Sequence, residues 1–316
     1  MDQSSQSNLK LSIIIVSYNT KDVTDNCLAS IYSAKWSDSF EVIVVDNNSK
    51  DGSVEMIREK YPDVNLIANS DNKFFAIANN QGAKIAKGKY LLLLNSDSLV
   101  YDDNLQRMID YYETLPEDVI CIGPKILNKD KSLQSCGAPA LGYAEHFICQ
   151  MGLHKRLPFL KKIWSTLPTS PDVTHNVGWV SGSCMMIPRD KYLEVGGLNE
   201  KLVFYGEEPE FGFRTRRLGY KTLYYSDAEI IHLGGVSTKK SSDSQKNFEK
   251  DMQTYESLVR LTNGYQGAIN VTRLTILACR IKVLLGYEKE MFKRKIEHEK
   301  KVVKYLKMRK HETGLK

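Results

Sequence analysis

The chain has 316 residues, 42% hydrophobic and 26% charged, the balance of an ordinary globular protein with room for one large domain or two modest ones. Collagen, low-complexity disorder and a disulfide scaffold are excluded. The six cysteines, at positions 27, 121, 136, 149, 184 and 279, make no C-x-x-C pair and predict reduced thiols in a cytoplasmic protein. The net charge of +6 is uneven: residues 280–316 hold 13 Lys/Arg against 5 Glu, while the remainder holds 31 Lys/Arg against 33 Asp/Glu. A near-neutral body argues against a nucleic-acid groove, and a basic tail points to an anionic surface.

No apolar run approaches the roughly 20 residues of a membrane-spanning helix, and the polar Met1–Lys10 stretch does not read as a secretory signal. Four short apolar runs follow, Leu11–Val16, Val42–Val45, Val64–Ala68 and Tyr90–Leu94. Between the first runs lie segments of helical spacing, with Val23, Cys27, Leu28 and Ile31 on one face and Val54, Ile57 and Tyr61 on another. Strand, helix, strand at this spacing predicts right-handed βαβ units and a parallel sheet covered on both faces. Residues 124–174 predict loops and short elements. Gly178–Ile187 predicts one strand, followed by a short helix from Pro188 and two strands, Lys221–Tyr225 and Glu229–Ile231. From about Lys246 the pattern is helical, and no internal repeat is visible.

Each early strand runs into polar residues: Ser17-Tyr18-Asn19, Asp46-Asn47-Asn48-Ser49, Asn69-Ser70-Asp71-Asn72 and Asn95-Ser96-Asp97. In open α/β sheets ligands bind at that carboxyl edge. No G-x-G-x-x-G follows the first strand and no Walker lysine loop is present, which disfavours a dinucleotide-binding enzyme. Glu207-Glu208-Pro209 predicts a helix start with Pro209 at its first position, Glu208 at the N-cap and Gly219 at its end. A carboxylate there is held ionised by the helix dipole. Glu210 and Arg214, four apart, are spaced to pair on the helix face.

These segments, with Asn72, Ala78-Asn79-Asn80-Gln81-Gly82, Trp179-Val180-Ser181-Gly182-Ser183-Cys184, Gly196-Gly197-Leu198-Asn199-Glu200, Glu207–Arg214 and His232, resemble family 2 glycosyltransferases, in their rhamnosyltransferase-like branch. Each motif is short; their order over residues 11–238 carries the resemblance. It implies a GT-A fold over 1–245, with a nucleotide-binding half at 11–100 and an acceptor and catalytic half at 101–245. A basic helical region at 246–316 follows.

The resemblance further implies inverting transfer from a pyrimidine nucleotide-diphospho-sugar, dTDP-rhamnose or a UDP-sugar, to a hydroxyl of a glycan or lipid-linked glycan in cell-surface polysaccharide synthesis. Asp46 would accept from the base's ring N–H. Asp97, in a D-x-D-like motif whose first place is Asn95, and His232 would hold Mg²⁺ or Mn²⁺. Glu208 would be the general base. Ser17, Tyr18, Asn19, Asn72, Asn80, Asn95, Trp179, Ser181, Gly182 and Glu207 would line the substrate. One departure is Phe74, where the family commonly has Gly. It reshapes the donor pocket and, with Asn95, keeps a non-catalytic sugar-nucleotide or glycan-binding homologue open as the alternative. The tail, with its apolar and basic residues mixed, predicts either peripheral membrane attachment of a cytoplasmic protein or a helical homodimerisation segment.

Overall fold

The computed structural model describes residues 9–140, 142–202, 206–234 and 264–313; the boundary expected between 245 and 246 lies outside them. The four early apolar runs become β1 (Leu11–Ser17), β2 (Phe40–Asp46), β3 (Asn65–Ala68) and β4 (Tyr90–Asn95). They alternate with α1 (Lys21–Ser33), α2 (Ser53–Lys60) and α3 (Phe74–Ile85). All four strands are parallel, in spatial order β3-β2-β1-β4. Successive residues of a strand point to opposite faces, yet Ile13, Ile14 and Ile15 are all fully buried, so both faces of the sheet are covered. Each such side chain contributes about 1.5–3 kcal/mol by leaving water.

The chain continues through β5 (Ser98–Leu99), α4 (Asn104–Glu113), β6 (Val119–Leu127), β7 (Gly137–Ala138), α5 (Tyr143–Met151), α6 (Leu153–Arg156) and α7 (Leu160–Ile163). Then come β8 (His175–Val177), β9 (Trp179–Val180), β10 (Cys184–Pro188), α8 (Arg189–Glu194), α9 (Glu207–Arg217) and β11 (Lys221–His232). The sheet extends from β4 through β10, β6 and β11 to β5, with β8 also on β11, while β7 and β9 form a separate two-stranded ribbon.

Three expectations change here. The single strand expected over Gly178–Ile187 is broken into β9 and β10. At Ser181–Ser183 the backbone leaves the ladder, Ser181 N–H donating to Cys136 O at 3.0 Å and Cys184 N–H to Ser181 O at 3.2 Å. The two strands expected over 221–231 are one strand, bulged between Tyr225 and Glu229. Side chains satisfy the freed backbone: Thr174 Oγ1 accepts from Ser226 N–H at 3.1 Å, Asn104 Oδ1 accepts from Glu229 N–H at 2.8 Å, and Arg107 donates to Asp227 O at 2.6 Å. Finally, α9 starts at Glu207, not Pro209. Gly206 caps it at φ 105°, its carbonyl accepting from Glu210 N–H at 3.0 Å. Proline fits the third helical position as well as the first, because no N–H in that turn has a helical partner.

The tail is an antiparallel hairpin of α10 (Tyr265–Leu284) and α11 (Lys289–Thr313). It has its own small core of Tyr265, Ala268, Ile269, Val302 and Leu306. Several apolar residues of the basic stretch therefore face the other helix. The hairpin docks on α5, where His146 Nε2 and Thr275 Oγ1 are 2.7 Å apart, and Arg156 reaches the Tyr287 hydroxyl at 2.5 Å.

Candidate active site

Register builds the first half of the site. β11 runs antiparallel to β5 with His232 opposite Ser98, and Leu233 N–H donates to Asp97 O at 2.9 Å. That pairing sets His232 Nε2 at 3.1 Å from Asp97 Oδ1 and 3.3 Å from Asn95 Nδ2. The ring's other face is held by Gln134, a residue the sequence reading missed. A backbone carbonyl only accepts, so the Gln134 amide must turn its NH₂ to His232 O, at 2.6 Å, and to Asn128 Oδ1, at 2.7 Å. Its Oε1 is then left to His232 Nδ1 at 2.9 Å, which requires the proton on Nδ1. When the ring carries only that proton, its Nε2 lone pair faces the Asp97 carboxylate. Two acceptors at that spacing suit a shared cation, and a carboxylate with an imidazole suits a divalent ion. Among the described residues no third His, Cys, Asp or Glu joins them, so further ligands would come from substrate oxygens and water.

The second half is built by close packing. Asn95 N–H and Ser98 Oγ both donate to Ser183 O, each at 3.2 Å, tying the Asp97 loop to the Ser181–Ser183 turn. From that turn Gly182 N–H donates to Glu208 Oε1 at 2.9 Å. A Cβ on Gly182 would lie 2.4 Å from Glu208 Oε1, and one on Gly212 would lie 2.2 Å from Gly178 O. Glycine at 212 lets α9 approach the Gly178 backbone, and glycine at 182 leaves room beside its N–H for the Glu208 carboxylate. Arg214 secures the helix, pairing with Glu210 at 2.9 Å and donating to Gly197 O at 2.6 Å. Burial pushes Glu208 above the usual carboxylate range, opposed by the Gly182 N–H. Burial and the neighbouring Glu208 charge push Glu207 up to about 7. Beside this turn lies a cleft of about 270 Å³ lined by Trp179, Pro209, Phe213, Arg216 and Arg217 on one side and Glu145 of α5 on the other.

At the carboxyl ends of β1 and β2 the expected residues hold each other. Asp46 is fully buried and accepts from Ser49 N–H and Oγ, at 2.8 and 2.6 Å. Asn19 accepts from Lys50 N–H at 2.8 Å, and its own N–H donates to Ser49 Oγ at 2.8 Å, lacing the two loops together. Ser17 is fully buried with Thr20 and Thr24 around its hydroxyl, so it supports the edge from below, whereas Tyr18 is exposed on it. Asn72 Oδ1 accepts from Phe74 N–H at 2.8 Å, and Phe74 O accepts from Asn47 Nδ2 at 3.3 Å. Those bonds hold Phe74 at φ 61°, the glycine conformation, with its ring exposed.

Asn80 stands apart from the site. Its amide donates to Leu198 O and Glu200 Oε1, both at 2.9 Å, and accepts from Tyr192 Oη at 2.6 Å and Leu198 N–H at 3.0 Å. All four of its bonding positions are used within the protein, which makes it a bridge from α3 to the 192–200 turn and leaves nothing for a substrate.

Residues 12–135 match the family described as Glycosyl transferase family 2. The N-acetylglucosaminyl-diphospho-decaprenol L-rhamnosyltransferase of Mycobacterium tuberculosis is 25% identical over 250 residues, 74% of this chain and 79% of that protein. The low-salt glycan biosynthesis hexosyltransferase Agl10 of Haloferax volcanii is 26% identical over 252 residues, 78% of this chain and 72% of its own length. Among solved structures, the mannosyltransferase PcManGT of Pyrobaculum calidifontis, in complex with GDP-Man and Mn²⁺, superposes with a TM-score of 0.59 at 14% identity, over 94% of this chain and 86% of its own. GalNAc-T7 with UDP, GalNAc and Mn²⁺ superposes with a TM-score of 0.57 at 17% identity over 82% of this chain, which spans 48% of that one. The fold is GT-A, and the protein is a glycosyltransferase. More particularly, residues 12–135 resemble family 2 glycosyltransferases, and over most of its length the chain is similar to a rhamnosyltransferase.

Proposed function

We propose that the protein is an inverting, divalent-metal-dependent glycosyltransferase that moves a sugar from a pyrimidine nucleotide-diphospho-sugar, dTDP-rhamnose or a UDP-sugar, to a hydroxyl of a lipid-linked or growing cell-surface glycan. The observation that carries the reading is one continuous set of contacts: Asp97 beside His232, their loop bonded to Ser183, and Gly182 of the same turn bonded to Glu208. The Asp97–His232 pair and the Glu208 carboxylate are thereby both tied to one short backbone turn, which supports a cation and a base acting together.

In this mechanism Glu208 takes the acceptor hydroxyl's proton as the oxygen bonds to the anomeric carbon and the bond from that carbon to the nucleoside diphosphate breaks. Asp97 and His232 would hold the ion, which when bound offsets the charge of the departing diphosphate. Gln134 fixes the tautomer of His232, and Gly182 N–H aims Glu208 and favours its carboxylate form against the effect of burial. The loop held by Asp46, Asn19 and Ser49 forms the floor for the base, and Tyr18, Asn72, Asn95, Ser181 and the Trp179 cleft border donor and acceptor. The rhamnosyltransferase relative's name, which includes a diphospho-decaprenol, supports a lipid-linked acceptor. A panel of UDP-, dTDP- and GDP-sugars assayed for nucleotide release with Mn²⁺, Mg²⁺ or chelator tests this. Turnover of a pyrimidine donor that chelator stops is the expected result; GDP-sugars turning over equally, or turnover in chelator, contradicts it.

A further inference from the structure

The helical hairpin carries a groove whose lining includes none of the residues used in the transfer mechanism. Between α10 and α11 it encloses about 370 Å³, floored by Ile276, Leu277 and Val303 and rimmed by Arg273, Arg280, Lys300 and Lys307. On α10 the residues 273, 276, 277 and 280 repeat at helical spacing, so one stripe carries both the apolar floor and two of the cations. No carboxylate lines the groove. Arg273, Arg280 and Lys307 have no ion pair among the described residues, while Lys300 meets only the exposed Glu297 at 2.6 Å. A second apolar hollow, lined by Tyr143, Asn270, Leu274 and the shared Arg273 and Leu277, continues the groove toward α5. Around it Leu277 is 47% exposed and Met308 51%, apolar area that water penalises and nothing described covers.

An apolar floor inside a ring of cations, three of them without an ion pair among the described residues, complements one kind of surface, acyl chains beneath anionic headgroups. We propose that this groove seats the protein on an anionic lipid bilayer, acyl chains meeting Ile276, Leu277 and Val303 and headgroup phosphates meeting Arg273, Arg280, Lys300 and Lys307. The first turn of α5 links this surface to the site: Tyr143 borders the hollow, and Glu145 borders the Trp179 cleft. That link to a lipid-borne acceptor rests on the function proposed above; lipid binding itself does not, so the two fail separately.

Sedimentation of the full chain with vesicles of phosphatidylcholine alone, and of phosphatidylcholine mixed with phosphatidylglycerol, tests the proposal. The parent protein should pellet only with the mixed vesicles and less as salt rises. The double substitution R273E/R280E should weaken this on the order of tenfold or more. Leu277→Asn should weaken it while leaving net charge unchanged. K301E/K304E, an equal charge change at exposed positions outside the groove, should retain most of the binding. A parent that stays in the supernatant, control and groove variants losing binding equally, or a dimer that depends on Arg273 and Arg280 without vesicle binding would each overturn it.

Discussion

Glu207 and Glu208 sit side by side in the first turn of α9, and burial raises both carboxyls, Glu207 to about 7. The base must be ionised to act, so transfer should fall in mild acid at a higher pH than an ordinary glutamate would impose. The Glu208 charge adds to burial in raising Glu207, so Glu208→Gln should let Glu207 titrate at lower pH, read from carboxyl ¹³C shifts, while Glu207→Gln should leave the neutral-pH transfer rate within a few-fold. Stability has the opposite slope. A carboxyl whose folded pKa is raised contributes stability fully below its unfolded value near 4.5, and loses it as pH rises through about 7. The parent should therefore lose up to about 3 kcal/mol across that window relative to Glu207→Gln, read from urea midpoints. Identical pH profiles for the two proteins would contradict the coupling. At the metal pair, Gln134→Ala should weaken Mn²⁺ binding by calorimetry on the order of 10–100-fold and let His232 populate the other tautomer in ¹⁵N spectra. Unchanged spectra in the alanine variant would exclude the role.

The early strands could be read because buried parallel strands are written as continuous apolar runs, and the polar residues ending them mark a ligand edge whatever the sequence between. The break at Ser181–Ser183 could not. Nothing local distinguishes a strand that continues from one whose backbone turns aside to bond Cys136, 45 residues earlier in the chain. Gln134 was hidden for the same reason, since it meets His232 across 98 residues through the register of β11. Asn80 misled in the other direction: it stands in an asparagine-rich motif, but on the helix face it shares with the buried Ala76 and Ala83. At this scale the structure depends on the approach of α9 to β9. Gly182→Ala should push Glu208 aside and lower the transfer rate on the order of 10²-fold, with donor affinity retained. A rate within twofold of the parent would show that the turn does not position the base.

Across the whole molecule, two halves of one sheet and a helical hairpin divide the work. Parallel strands β1 to β4 supply an edge of laced polar loops, the mixed strands β10, β6, β11 and β5 bring His232 and the Glu208 turn to it, and the hairpin carries the basic groove. The central claim is that this assembly performs glycosyl transfer with Glu208 as the base. Single-turnover transfer from dTDP-rhamnose with Mn²⁺ to a lipid-linked glycan, with donor binding measured on the same samples, tests it most directly. Glu208→Gln should bind donor as the parent does and transfer it roughly 10²–10⁴-fold more slowly. Transfer by Glu208→Gln at the parent's rate, with donor bound equally, would contradict the account.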